Sequence, residues 1–246
     1  MHPDPVRTRP RRPSPWGLLV AVSAFVVVTA LLATGLWWML TLERRTATYD
    51  VRGGIRGVEL DIGAADAEII GAGDEAPVRV RRTEMFAFGR RPEVIRDTAD
   101  GILSITVRCP RLLVGDCSSS YRVAVPANVP VTVRSTSGDV RFRGYRGSAR
   151  IDTREGNIAV TSYCGFVLRA HSGSGDVRAT ASCATERLDL RSQDGDIRAT
   201  VPAGRYRVDA ESDGGLESVD GLITADDAPY TIQALTGSGD VVVQAD

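Results

Sequence analysis

The sequence predicts an all-β protein, a β-solenoid of stacked two-strand repeats of 18–20 residues behind one N-terminal transmembrane helix. Three observations predict this fold class: a charge-free apolar run near the N-terminus, a glycine-centred turn that recurs at nearly constant spacing, and alternating apolar residues on both sides of that turn. A single repeat of this length cannot bury its apolar face alone, whereas stacked repeats share one continuous core.

The apolar run covers residues 16–42 and contains no charged side chain. At about 1.5 Å per residue it reaches roughly 40 Å as a helix, enough to cross a bilayer. Trp16 stands at one end, and Trp37 and Trp38 stand at the other, as in an aromatic belt. A cleaved signal peptide is the alternative, but its apolar core is usually only about 7–15 residues long.

Charge on the two sides of this run predicts its orientation. Four arginines precede it (Arg7, Arg9, Arg11 and Arg12), which by the positive-inside rule places the N-terminus in the cytoplasm. The predicted organisation is a cytoplasmic Pro/Arg-rich tail (1–15), a transmembrane helix (16–42), a linker (43–47) and an extracytoplasmic β-repeat domain (48–246). The predicted localisation is therefore the cell membrane, as a single-pass protein.

The recurring turn is a four-residue string such as Ser-Gly-Asp-Val at 137–140, 174–177 and 238–241. Its second residue is Gly138, Gly156, Gly175, Gly195, Gly214 and Gly239, at steps of 18, 19, 20, 19 and 25 residues. Five of these glycines precede Asp139, Asn157, Asp176, Asp196 and Asp240. Glycine adopts backbone angles that other residues avoid, and Asp or Asn hydrogen-bonds its own backbone in turns. Each repeat is therefore expected to turn the same corner.

Apolar residues alternate around each turn with the period of a half-buried strand. The second residue after each glycine is Val140, Ile158, Val177, Ile197, Leu216 and Val241. The fifth residue before each glycine is apolar except for Asp209, and Val208 beside it indicates a one-residue shift in that repeat. Each strand should pair with its counterpart in the next repeat. A β-sandwich of ordinary hairpins remains the alternative fold.

Four cysteines test this repeat. Cys164 and Cys183 each lie eight residues after a turn glycine, so they occupy equivalent loop positions in consecutive repeats. Equivalent positions on paired strands lie about 4.8 Å apart, a Cα separation that a disulfide tolerates. Cys109 and Cys117 close a short loop, and we predict a second disulfide there. Both bridges suit an oxidising compartment outside the cytoplasm.

Catalytic and metal chemistry find little support in the sequence. Histidine occurs only at His2 and His171, and no nucleophile elbow, P-loop or HExxH motif is present. The turn carboxylates could bind calcium, but the nine-residue repeat of calcium-binding β-rolls is missing. We therefore expect no enzyme, no metal and no cofactor. A polysaccharide-active β-helix enzyme is the remaining catalytic alternative.

Arginines recur at one position after the turn. Arg141, Arg178 and Arg198 each follow the inward-facing Val or Ile, with Arg143 nearby, and are expected to form an outward-facing row. The row is either a solvated face paired with acidic neighbours or a ligand site for anionic wall polymer or lipid headgroups. Nucleic acid is not expected, because residues 46–246 hold 24 Arg against 29 acidic residues and no basic block.

The repeated Ser-Gly-Asp-Val turns behind an N-terminal anchor resemble the bacterial "putative adhesin" family of β-strand-repeat envelope proteins, a domain-of-unknown-function family. The resemblance covers about residues 48–246. It implies a β-solenoid-like fold in the cell envelope and a role in adhesion or envelope-stress sensing, and it brings no catalytic residues.

The sequence as a whole predicts a non-enzymatic, membrane-anchored envelope protein whose β-solenoid is a binding, adhesion or scaffolding surface. Its expected partners are the membrane and a cell-wall polymer, lipid headgroups or another envelope protein. The alternative function is an envelope-stress sensor or regulator that reads lipid or peptide ligands.

Overall fold

The computed structural model describes residues 15–41, 43–86, 92–108 and 118–246. The chain forms two compact units, Met1–Leu42 and Glu43–Asp246. In the first unit the described residues form the helix α1 (Pro15–Thr41), where the sequence predicted a span over 16–42. The predicted cytoplasmic tail lies outside the described residues except for Pro15.

Helix α1 contains a stretch, Leu19–Trp37, that is long and apolar enough to cross a membrane, with a mean hydropathy of 2.4. The described apolar side chains of α1 are not covered by other residues, as expected for a segment whose solvent is lipid. An N-terminal signal sequence meets the same length and hydropathy criteria.

The second unit consists of β-strands. They are β1 (Glu43–Val51), β2 (Gly57–Asp61), β3 (Asp66–Ala72), β4 (Val78–Phe86), β5 (Glu93–Ala99), β6 (Ile102–Arg108), β7 (Ser118–Pro126), β8 (Val131–Ser137), β9 (Val140–Arg143), β10 (Ala149–Glu155), β11 (Ile158–Tyr163), β12 (Val167–Ser174), β13 (Val177–Ala181), β14 (Arg187–Asp194), β15 (Ile197–Val201), β16 (Arg205–Ser212), β17 (Glu217–Asp220), β18 (Ile223–Thr224), β19 (Tyr230–Ser238) and β20 (Val241–Ala245). Residues 43–47, where the sequence indicated a linker, form the first half of β1.

These strands form two ten-stranded sheets. Sheet A has the order β1-β4-β7-β3-β9-β11-β13-β15-β20-β17, and sheet B has the order β18-β16-β19-β14-β12-β10-β8-β2-β6-β5. A rung is one strand of sheet B followed, around a glycine corner, by one strand of sheet A, for example β10 and β11. Successive rungs pair in parallel, which is the pairing of a solenoid and excludes a sandwich of hairpins.

The core lies between the two sheets, and equivalent side chains stack in register from rung to rung. In sheet A, Val140 pairs with Ile158, which pairs with Val177, and all three are at most 1% exposed. In sheet B, Ile151 and Ala170 pair in the same way and are equally buried. The period-two alternation predicted from the sequence therefore places one face of every interior strand in the core.

The corner depends on glycine at each turn. Gly138, Gly156, Gly175, Gly195 and Gly239 have φ between 123° and 153°, a region that favours glycine. In addition, a Cβ added to any of the last four would overlap the carbonyl oxygen of the corner glycine in the neighbouring rung. The corner glycines thus stack on one another without room for a methyl group.

The fifth predicted corner, at Gly214, is wrong by one residue. Ala210 pairs with Ala234, so the residue that occupies the corner beside Gly239 is Gly215. The shift that Asp209 and Val208 indicated is real, and it moves Leu216 out of the core. Leu216 is 76% exposed, because it occupies the position that Asp has in the other corners.

Both ends of the stack depart from chain order, which the sequence did not indicate. The last rung along the chain, β19–β20, inserts between β14–β15 and β16–β17, so β16–β18 cover this end. At the other end, β6–β7 insert between β2–β3 and the antiparallel strands β5 and β4. The longer final step of the repeat is the connection that allows the chain to return.

Cys164 and Cys183 form a disulfide between consecutive rungs, with Cα atoms 5.1 Å apart. The backbone beside the disulfide continues the rung-to-rung hydrogen bonds: Cys164 N–H donates to the Tyr145 carbonyl at 3.0 Å, and Ser182 N–H donates to the Tyr163 carbonyl at 2.8 Å. The predicted Cys109–Cys117 disulfide lies outside the described residues and stays a prediction.

We predict that Gly175→Ala lowers the free energy of unfolding by about 2–5 kcal/mol, because the side chain meets both an unfavourable φ and the Gly156 carbonyl. Chemical denaturation of the variant and of Gly73→Ala measures this. Gly73 has open space where a Cβ would stand, so its variant is the matched control. Equal stabilities for the two variants would contradict the stacked corner.

We predict that the double variant Cys164→Ser/Cys183→Ser loses about 3 kcal/mol of stability, the loop-closure value for a sequence separation of 19. Peptide mapping without reduction should recover the two cysteine peptides as one linked species from the wild type. Separate peptides, or unfolding that the double variant leaves unchanged, would show that this bridge does not form.

Candidate functional site

The corner aspartates form a hydrogen-bonded ladder that runs from rung to rung where the sheet A strands begin. The Oδ1 atom of each corner Asp or Asn accepts a hydrogen bond from the backbone N–H of the next corner, at 2.9–3.1 Å, in the order Asp66, Asp139, Asn157, Asp176, Asp196, Asp240 and Leu216. The prediction that each Asp bonds its own turn is therefore corrected, because the acceptor reaches the neighbouring rung. These carboxylates hold rungs together.

A second ladder was missed by sequence reasoning. The hydroxyl three residues before a corner glycine donates to the carbonyl of the corner glycine in the adjacent rung, from Ser172 to Gly156, Ser192 to Gly175 and Thr236 to Gly195 at 2.8–2.9 Å. The signal was available, since Ser or Thr stands at this position in every repeat: Ser135, Thr153, Ser172, Ser192, Ser212 and Thr236. The buried hydroxyls of Ser172, Ser192 and Thr236 thus satisfy carbonyl groups that the corner turns inward, whereas the buried Thr153 hydroxyl has no hydrogen-bond partner among the described residues.

The predicted arginine row lies on the outer face of sheet A, beside the aspartate ladder. Arg141, Arg178 and Arg198 occupy one register line, interrupted by Ala159 between the first two. The same line continues in the other direction through Glu68, Arg122 and Arg81 on β3, β7 and β4. The sequence did not connect Arg81 and Arg122 to the row, because their strands lie outside the regular repeat.

The arginines of the row differ in their partners. Arg141 and Arg178 each form an ion pair at 2.7 Å with the corner Asp two residues earlier, Asp139 and Asp176. Arg143 lies one register line away and pairs with Glu68 at 3.3 Å. Arg198 has no carboxylate partner among the described residues. All four are exposed, so these ion pairs contribute little stability and leave the guanidinium groups accessible.

Further along the face, a groove of about 290 Å³ opens over β1, β4, β7, β3 and β9. Arg44, Arg81, Arg122 and Arg141 line it together with Asp66 and Glu68. Arg81 and Arg122 stand directly opposite each other on antiparallel strands, an arrangement in which like charges repel. Glu68 pairs with Arg122 at 2.6 Å, whereas Arg81 has no carboxylate partner among the described residues.

Two titrating groups lie next to this groove. On β1 and β4, the strands that carry Arg44 and Arg81, a hydrogen bond from Arg79 lowers the pKa of the Asp50 carboxyl, and the positive charge of Arg79 acts in the same direction. Beneath the groove, burial raises the pKa of the Tyr121 hydroxyl to about 12. Both groups therefore keep one protonation state around neutral pH.

The outer face of sheet B carries a comparable set of arginines. Arg150 and Arg191 form ion pairs at 2.8 Å with Asp152 and Asp189, and Arg169 between them has no carboxylate partner among the described residues. His171 lies exposed on this face, in register with Asp152 and Arg191. Sheet B thus provides an internal comparison for the arginines of sheet A.

The fold and the corner define a class of protein, a stacked parallel β-repeat with a glycine-aspartate corner. The Toastrack DUF4097 family model matches residues 114–245, more than half of the chain, and the chain therefore belongs to the Toastrack DUF4097 family. The resemblance to β-strand-repeat proteins noted from the sequence is confirmed. No curated protein matches the chain.

Solved structures of related shape come from several bacteria. One is a "putative cell adhesion protein" from Clostridium sporogenes, 12% identical over 83% of this chain and 100% of the other, with a TM-score of 0.48. A "putative adhesin" from Bacteroides fragilis is 14% identical over 83% and 97%, with a TM-score of 0.44. A "putative lipid binding protein" from Parabacteroides distasonis is 11% identical over 82% and 97%, with a TM-score of 0.32.

We predict that Asp176→Ala lowers the free energy of unfolding by about 1 kcal/mol, because the Asp196 N–H loses its acceptor. Asp176→Asn should cost less, since its Oδ1 remains an acceptor and Asn157 already fills this role in the native ladder. Thermal and chemical unfolding of both variants checks this order. Equal losses for Asn and Ala would assign the importance of Asp176 to its charge, which both variants remove, and would contradict the ladder.

Proposed function

We propose that the protein is a non-enzymatic binding protein, anchored in the cell membrane by α1, whose β-stack presents the outer face of sheet A to an extended anionic ligand of the cell envelope. The observation that carries this proposal is the register line of arginines. It places Arg81, Arg122, Arg141, Arg178 and Arg198 on one line across a single sheet, interrupted by Glu68 on β3 and Ala159 on β11.

The spacing of this line suits a repetitive ligand. Neighbouring strands lie about 4.8 Å apart, so side chains of one register line recur at that interval or at a multiple of it. Two hydrogen-bond ladders at the corners, one through Asp side chains and one through Ser and Thr hydroxyls, keep this interval fixed along the stack. A ligand with charges along its length can then make many weak contacts at once, and their sum produces avidity.

The corner chemistry supports a binding role over catalysis. Asp139 and Asp176 each use one carboxylate oxygen for the next corner and the other for an arginine, so both are committed to holding the face together. A general acid or base needs an oxygen that is available to the substrate. The role of the carboxylates is therefore to position the arginines.

The envelope location rests on two features of the chain. Helix α1 has the length and hydropathy of a membrane span, and the arginines before it favour a cytoplasmic N-terminus. This orientation places the β-stack outside, where the Cys164–Cys183 disulfide is stable. Cell-wall polymers that carry negative charge are the extended anionic ligands available there.

The test is co-sedimentation of the full-length protein, in neutral detergent, with purified cell-wall sacculi that carry their anionic polymers. We expect saturable binding that salt weakens, and a loss of roughly tenfold in Arg141→Gln/Arg178→Gln/Arg198→Gln. The matched control is Arg150→Gln/Arg169→Gln/Arg191→Gln, which removes the same charge from sheet B, again from two ion-paired arginines and one unpaired. Equal loss in both variants, or no binding by the wild type, would contradict the proposal.

A further inference from the structure

The groove on sheet A combines several hydrogen-bond donors in one place. Four arginines line it, Arg44, Arg81, Arg122 and Arg141, and the hydroxyl-bearing residues Thr83 and Ser120 stand among them. Against these four positive charges the lining contains two carboxylates, those of Asp66 and Glu68. The groove therefore keeps an excess of positive charge.

Both carboxylates of the lining are already engaged. Asp66 accepts the corner N–H of Asp139 at 2.9 Å through its Oδ1 atom. Glu68 pairs with Arg122 through one oxygen and with Arg143 through the other, at 2.6 and 3.3 Å. Arg44 and Arg81 are exposed and have no carboxylate partner among the residues that the structure describes. Their donors are thus available to a ligand.

The position of Arg81 also carries a cost that a ligand would remove. Arg81 is directly opposite Arg122 in the antiparallel register of β4 and β7, where Cβ atoms lie about 5 Å apart and like charges destabilise the sheet. An anion between the two guanidinium groups replaces this repulsion by two attractions. Charged residues that stand opposite each other on neighbouring surface strands are more often of opposite sign. Arg79 and Asp50, opposite each other on β4 and β1, are such a pair.

We propose that this groove is a phosphate-binding subsite, with Arg81 and Arg122 as the central pair and Arg44 at the rim; the inference rests on the proposed function and names the charged group that the face recognises. A phosphate group offers oxygens in a tetrahedral arrangement and can accept hydrogen bonds from several guanidinium groups at once. A carboxylate has two oxygens, which one guanidinium already satisfies. Convergence of three or more arginines therefore favours phosphate.

Titration calorimetry of the full-length protein in neutral detergent, with inorganic pyrophosphate as the probe, tests the subsite. Pyrophosphate is small enough to report on the groove alone, and citrate is the carboxylate comparison. We expect pyrophosphate to bind more tightly than citrate, and Arg81→Gln/Arg122→Gln to weaken it roughly tenfold. The matched control is Arg150→Gln/Arg169→Gln on sheet B, where Arg150 pairs with Asp152 and Arg169 has no carboxylate partner among the described residues; it removes the same charge and should leave the affinity unchanged.

Folding of the variants is checked separately by thermal unfolding. Arg81→Gln/Arg122→Gln should unfold at the wild-type temperature or above it, because the like-charge pair is gone. Micelles that contain phosphatidylglycerol distinguish the source of the phosphate: competition with pyrophosphate assigns it to a lipid headgroup, and independence assigns it to a soluble polymer. Both results support the subsite.

Three outcomes would overturn the inference. Equal weakening in the two double variants would show that binding reports the net charge of the protein and not the groove. Equal affinity for citrate and pyrophosphate would remove the preference for phosphate. Absence of pyrophosphate binding, with sedimentation on sacculi still dependent on the sheet A arginines, would refute the subsite and leave the proposed function standing.

Discussion

Every interior rung depends on a backbone contact that glycine alone permits. At the corner, the Cα of one glycine lies against the carbonyl of the glycine below it, as Gly175 does on Gly156. The Gly156 carbonyl also accepts a hydrogen bond from the Ser172 hydroxyl. The N–H of Asp176, the residue after Gly175, donates to the Oδ1 atom of Asn157. Three interactions therefore meet at this corner, and together they fix the register of the two sheets there.

The arginine row that we propose as the ligand site is a consequence of this register. Because the corners align, the residue two positions after each Asp falls on one line, and there the sequence places arginine in several rungs. The corner Asp then serves two neighbours, with one oxygen on the next rung and the other on its own arginine. Stability and the proposed ligand contact thus use the same residues, so substitutions at the corner should affect both.

The sequence predicted the regular part of the molecule well, for a physical reason. Between Val131 and Val201 each rung pairs with the next along the chain, so one repeat determines the geometry of its neighbour. The ends could not be predicted in this way, since the insertion of β19–β20 and of β6–β7 depends on long-range pairing that leaves no local period. For the same reason Arg141, Arg178 and Arg198 were found, whereas the groove around Arg81 and Arg122 required the positions of strands distant in sequence. The one-residue shift to Gly215 was visible in part, from Val208 beside Asp209.

The most direct test of the account is arginine footprinting with phenylglyoxal on the full-length protein, followed by mass spectrometry, with and without bound cell-wall sacculi. The account predicts slower modification of Arg81, Arg122, Arg141, Arg178 and Arg198 in the presence of sacculi. Modification of Arg150, Arg169 and Arg191 on sheet B should remain unchanged. Protection of the sheet B arginines, or equal modification of both faces in the two conditions, would contradict a ligand-binding role for the outer face of sheet A.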